Sequence, residues 1–99
     1  GIWADLSSLI NDKKLKNKTL KVMFYAKKVS EEAMLYVNIK VKTGNKYDNR
    51  LKRYQLGDKW QQYDFNLSLP SNAEGLTMSF KTGVGEEIKM DGFIITAAN

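Results

Sequence analysis

The sequence contains neither cysteine nor histidine. Their absence removes disulfides, cysteine nucleophiles, Ser-His-Asp triads and zinc sites of the usual ligand types. Proline occurs once, at Pro70, and arginine twice, at Arg50 and Arg53, against fourteen lysines. Arginine supplies the forked contacts to phosphate and guanine on which a DNA reader depends, so no nucleic-acid partner is expected. No apolar run approaches the roughly 18 residues of a membrane-crossing helix, and no membrane insertion is expected. No segment shows a long helical period.

What is present fits a globular domain. The chain has 99 residues, 42% of them hydrophobic and 27% charged, enough for one core and one domain over residues 1–99. The net charge is +5, a balance found in binders of nucleic acid, anionic lipid or acidic glycan. Its densest stretch, Asp12-Lys13-Lys14-Leu15-Lys16-Asn17-Lys18, reads as a solvated loop between apolar segments. A chain without cysteine fits a secreted or virion protein that manages without disulfides, and equally many cytosolic domains.

The dominant period is two, the signature of strands with one buried face. Leu20, Val22, Phe24 and Ala26 alternate with Lys21, Met23, Tyr25 and Lys27. Leu35, Val37, Ile39 and Val41 alternate with Met34, Tyr36, Asn38 and Lys40. Tyr47–Leu56 is a more charged strand. Tyr63, Phe65, Leu67 and Leu69 form another, ended by Pro70, and Leu76, Met78 and Phe80 the next. Ile88, Met90, Phe93 and Ile95 form the last apolar set, and Asp91-Gly92 breaks its phase as a β-bulge does. Ile2, Ala4 and Leu6 read as a first inward set, with Leu6–Ile10 as an alternative helical turn. Thr96–Asn99 reads as a tail. Seven strands separated by turns predict an all-β, antiparallel, jelly-roll-like sandwich. Val22, Phe24, Val37, Ile39, Phe65, Met78, Phe80 and Phe93 are expected in its core.

Three segments carry a resemblance. Lys18-Thr19-Leu20-Lys21-Val22-Met23-Phe24-Tyr25-Ala26-Lys27, Gly57-Asp58-Lys59-Trp60-Gln61-Gln62-Tyr63-Asp64-Phe65 and Ile88-Lys89-Met90-Asp91-Gly92-Phe93-Ile94-Ile95 follow one another in this order. Together they resemble the galactose-binding-like jelly rolls, above all the carbohydrate-binding modules of families four and nine. Similar modules occur in bacteriophage tail-fibre and receptor-binding proteins. The resemblance implies a non-catalytic glycan-binding module of a larger extracellular or virion protein. Its alternative is a structural or trimerisation domain of a phage tail fibre. The resemblance also implies a first strand that this chain lacks, and a structural calcium to which Asp91 would contribute. One carboxylate is far from the six to eight oxygens calcium needs, so Asp91 reads equally as a turn residue.

Sugars are held by an aromatic face against the ring and by amides and carboxylates on the hydroxyls. Tyr25, Tyr36, Asn38, Gln62, Asp64 and Asn66 all lie out of phase with the apolar sets and are expected to share one shallow groove. Met23 and Met34 make the same face apolar, which suggests a covering loop or subunit, and a homo-oligomer, in the form of a trimer, is expected. Trp60 matches the family's structural tryptophan and is expected at the core or sheet edge. Trp3 is expected to pack on a neighbour or stack on sugar. Tyr47 and Tyr54 flank Arg50, Lys52 and Arg53. That pattern reads as a lysine-protected edge strand, with an acidic glycan or single-stranded nucleic acid as the ligand alternative. The acidic pairs Glu31-Glu32 and Glu86-Glu87 sit in loops and do not suggest a glycosidase dyad across a cleft, so no enzyme is expected. Gly83-Val84-Gly85 lacks the Lys and Ser/Thr of a phosphate loop and reads as a turn.

Overall fold

A computed structural model describes residues 2–7 and 19–97, with side chains from Asp5 onward in the first stretch. The strands are β1 (Ile2–Asp5), β2 (Thr19–Lys28), β3 (Met34–Thr43), β4 (Lys46–Gln55), β5 (Gln61–Ser68), β6 (Gly75–Thr82) and β7 (Ile88–Ala97). They form a four-stranded sheet in the order β1-β6-β3-β4 and a three-stranded sheet in the order β5-β2-β7, with every pairing antiparallel. The architecture is the predicted sandwich. Asp12–Lys18 and most of the alternative helical turn lie outside the described residues.

The alternation in the sequence becomes the two sides of each sheet. Leu20, Val22, Phe24 and Ala26 of β2 are wholly buried, as are Leu35, Val37 and Ile39 of β3 and Leu76 and Met78 of β6. Phe24 sits at the centre, its ring 5.7 Å from both Tyr54 and Tyr63 and 5.9 Å from Phe80. Tyr54 comes from β4 and Tyr63 from β5, so these contacts bring the two sheets face to face. Edge-to-face and offset ring pairs of this kind add to the burial of apolar area.

Seven of the eight expected core residues are buried; Phe93 is not. Its ring meets Phe80 edge-to-face at 5.5 Å, yet it remains 41% exposed. The reason is position: β7 is the last strand of its sheet, so nothing in that sheet covers its far side. The bulge is where the broken phase put it. Met23 pairs with Ile94 and Tyr25 with Asp91, which leaves Gly92 and Phe93 opposite Phe24 alone. Gly92 takes φ +63°, the left-handed conformation that glycine adopts without a steric penalty. The expected tail is partly strand, because Thr96 and Ala97 extend the ladder opposite Lys21 and Leu20.

The connection after β2 decides what the outer surfaces look like. Val29–Ala33 carries the chain from the three-stranded sheet to the four-stranded one, and Val29 and Ser30 donate backbone hydrogen bonds to the Glu87 carbonyl on the way. β2 and β3 are consecutive and alike in pattern, yet they are not paired. By contrast β3 and β4 form a hairpin closed at Thr43 and Lys46, and Gly44 at φ +60° makes its two-residue turn.

Candidate functional site

Each sheet has one face in the core and one outside, so the sandwich offers two outer faces. The six expected sugar-binding residues divide between them. Tyr25, Gln62, Asp64 and Asn66 lie on the three-stranded sheet, whereas Tyr36 and Asn38 lie on the four-stranded sheet. The single groove is therefore not formed. Met23 and Met34 part in the same way, so the continuous apolar stripe behind the expected oligomer is absent as well.

On the three-stranded face Tyr25, Gln62 and Asp64 are engaged with neighbouring side chains. The Tyr25 hydroxyl donates to Gln62 Oε1 at 3.3 Å, and Gln62 Nε2 approaches Met23 Sδ at 3.2 Å. Lys21 Nζ lies 3.9 Å from Asp64 Oδ2. The Tyr25 ring lies over the bulge, where a β-carbon added to Gly92 would stand 3.0 Å from its Cδ2. Trp60 lies just ahead of the edge strand β5, 47% exposed, with Lys27 Nζ 5.3 Å from its ring centre, and so it is not a core residue.

The four-stranded face is built differently. Strand pairing lines up Tyr36 with Arg53 and Lys81, Asn38 with Leu51 and Ser79, Lys40 with Asn49 and Thr77, and Lys42 with Tyr47. Tyr47 is 56% exposed, and Lys40 Nζ lies 5.3 Å from its ring centre. A recess of about 170 Å³ opens here, lined by Ser7, Lys40, Lys42, Tyr47, Gly75, Leu76 and Thr77. Its rim is fixed by hydrogen bonds: Leu76 N donates to Ser7 Oγ at 3.1 Å, and Ser7 N to Asp5 Oδ1 at 3.0 Å. The Ser7 hydroxyl and amide hold the Asp5 carboxyl below its ordinary pKa, so it stays ionised at this rim. A glycine at 75 matters because a β-carbon there would come within 3.0 Å of Ser7 Oγ and narrow the recess.

A second opening, of about 550 Å³, lies at the flank where the sheets part, lined by Val41, Thr43, Asp48, Arg50, Ser68, Leu69, Pro70 and Asn72. Arg50 reaches back to Asp48, with Nη2 2.8 Å and Nε 3.0 Å from Oδ2, so its charge is already met. None of the described residues that line this opening is aromatic.

A family profile described as Carbohydrate binding domain (CBM_4_9) matches residues 3–89. The chain belongs to the carbohydrate binding domain family. Solved structures agree in fold. The CBM22-1 xylan-binding domain of Paenibacillus barcinonensis Xyn10C superposes with a TM-score of 0.74 at 22% identity, over 96% of this chain and 62% of that one. A CBM4 structure gives 0.69 at 22% identity, over 96% and 57%. The CBM22-1-GH10 modules of Clostridium thermocellum Xyn10B, complexed with xylohexaose, give 0.71 at 12% identity, over 85% and 17%. The chain thus spans about three-fifths of the first two proteins it resembles. No curated protein matches it.

Two carboxylates of this carbohydrate binding domain, Glu86 and Asp91, have structural work, and the family is one of binding rather than catalytic domains. Glu86 Oε1 accepts hydrogen bonds from Met34 N at 3.0 Å and Gly83 N at 2.9 Å, pinning the β6–β7 turn to the start of β3. Asp91 Oδ1 accepts from Gly92 N at 2.8 Å and so caps the bulge. No group of three acidic side chains suited to a metal ion occurs among the described residues, and Asp91 alone does not fit calcium. The side chain of Trp3 lies outside the described residues. Sequence reasoning favoured a protective edge strand for Tyr47, kept an acidic glycan there as the alternative, and left it out of the expected groove. The signal was its pairing partner, Lys42, which only the register reveals.

Proposed function

We propose that the protein is a non-catalytic module that holds a polysaccharide chain on the outer face of its four-stranded sheet. Tyr47 and Tyr36 are the stacking platforms, and Asn38, Asn49, Ser79 and Thr77 are the hydrogen-bonding groups between them. The observation that supports this face over the other is the recess at Tyr47, Lys40 and Lys42, beside an open tyrosine ring. On the three-stranded face Tyr25 and Gln62 bond one another and Asp64 faces Lys21, and a sugar would have to displace those contacts before making its own. One related domain is named as xylan-binding and another is complexed with xylohexaose, which makes a plant-wall polysaccharide the natural first ligand to try. Such chains lie outside the cell, and the module would act there as one part of a larger protein.

The test is calorimetric titration with soluble plant-wall polysaccharide fragments, acidic as well as neutral. Tyr47→Ala should lose on the order of 1–3 kcal/mol of affinity, by extension from the stacking of bases on aromatic side chains. Tyr25→Ala, on the opposite face, should bind as the parent does. The reverse pattern moves the site to the three-stranded sheet.

A further inference from the structure

The outer face of the four-stranded sheet is strongly one-signed. Lys40, Lys42, Arg53 and Lys81 all lie on it, and Asp5 is the single carboxylate that the described strands place there. The cations are not scattered. Tyr36 is flanked by Arg53 on one neighbouring strand and Lys81 on the other. Tyr47 is flanked by Lys42, its pairing partner, and Lys40, which lies over its ring. Tyr36 and the Lys42–Tyr47 pair stand six residues apart along β3, or roughly 20 Å at about 3.4 Å per residue. Between them run Asn38, Asn49, Ser79 and Thr77, with the exposed Leu51 opposite Asn38 and Lys40 between Asn49 and Thr77. Two aromatic–cation stations are thus joined by a mainly hydrogen-bonding track with one apolar side chain in it.

None of these four cations has a salt-bridge partner among the described residues; the two ion pairs found there, Lys21–Asp64 and Arg50–Asp48, lie elsewhere. Four like charges on one sheet face repel one another, and an anionic ligand relieves that repulsion. Three of the four are lysines, point charges that suit a repeating carboxylate or sulfate without the planar fork of a guanine or phosphate reader.

From this arrangement we infer that the ligand of this face is an anionic polysaccharide, lying along β3 with its acidic groups at the Tyr36 and Tyr47 stations. The inference rests on the glycan-binding reading above and adds the charge of the chain. Tyrosine rings take the apolar sides of the sugars, the amides and hydroxyls take their hydroxyl groups, and the lysines and Arg53 take the acid groups. Neutral sugars would leave all four cations unpaired.

The experiment uses the full chain and immobilised polymers: polygalacturonate as the carboxylate source, heparin as the sulfate source, fully methyl-esterified polygalacturonate as the uncharged counterpart, neutral arabinoxylan and β-glucan, and single-stranded DNA. Retention on at least one acidic polysaccharide, with tenfold or weaker retention on the ester and on DNA, supports the inference. Raising ionic strength from about 0.01 M to 0.1 M shortens the Debye length from about 30 Å to 10 Å and should weaken that retention severalfold. The double substitution Lys40→Gln, Lys42→Gln should lower affinity by about three- to tenfold, in line with two exposed charge contacts. Lys89→Gln on the other sheet should not, and unchanged thermal melts would show that all variants are folded. Preference between polygalacturonate and heparin identifies the acid group. Equal retention on polygalacturonate and its ester, or binding to neutral arabinoxylan or β-glucan alone, overturns the inference while leaving a glycan-binding module. Equal retention on DNA overturns it in favour of bare charge. Retention on no polysaccharide at all removes the glycan-binding reading itself.

Discussion

Phe24→Ala is the sharpest test of the sandwich. Phe24 has no exposed surface, and its ring touches Tyr54, Tyr63 and Phe80, which come from three other strands and both sheets. Truncating a buried phenylalanine costs about 3–5 kcal/mol, including the cavity that remains. Three ring contacts, each contributing about 0.5–1.5 kcal/mol beyond burial, place this site at the upper end, near 5 kcal/mol. Domains of this size have roughly 5–15 kcal/mol in total, so the variant should be marginal at room temperature. At about 4–8 °C per kcal/mol, its melting temperature should fall by on the order of 20 °C or more. Tyr25→Ala, the next residue, faces outward and is 43% exposed; it loses a 3.3 Å hydrogen bond to Gln62 and should cost about 1 kcal/mol. Urea melts of the two variants and of Phe24→Leu, which refills much of the cavity and should fall between them, measure the contrast. Comparable losses for Phe24→Ala and Tyr25→Ala would refute the assignment of inner and outer faces.

Three further outcomes follow from named contacts. Glu86→Ala leaves the Met34 and Gly83 amides without their acceptor and should destabilise by about 1–3 kcal/mol in denaturant melts, with Glu86→Gln losing less because its carbonyl still accepts. Gly92→Ala puts a β-carbon at φ +63° and against the Tyr25 ring, and should cost about 1–2 kcal/mol in the same melts. Tyr54 has its pKa raised by burial first and by the Asp64 charge second. A raised pKa contributes stability that is present below the unfolded value, near 10, and is lost as pH rises through the folded value. Alkaline unfolding should therefore steepen above about pH 10 in the parent and less in Tyr54→Phe, as followed by circular dichroism.

The strands were legible in the sequence because burial on one face forces alternation, and Leu20 to Ala26 or Leu35 to Val41 alternate without a break. The bulge at Asp91-Gly92 was legible for the same reason, as a broken phase beside a glycine. Alternation separates inside from outside, but a sandwich has two outsides. Tyr25 and Tyr36 carry the same sequence signal and end on opposite faces, because Val29–Ala33 crosses between sheets where a hairpin would have kept them together. Tyr47 was singled out with an acidic glycan only as the alternative to a protected edge strand, because both faces of β4 are polar and its phase is faint until Lys42 is found beside it. Phe93 was misjudged because an apolar residue on an edge strand reads like one in the middle.

The central claim is that glycan is bound on the four-stranded face. It is tested most directly by chemical-shift perturbation of backbone amides as an oligosaccharide that binds is titrated in. Shifts should cluster at residues 36–42, 47–53 and 75–81 and be absent from Met23, Tyr25, Gln62 and Asp64. Shifts concentrated on the latter four residues, with Tyr36 and Tyr47 unmoved, would contradict the account.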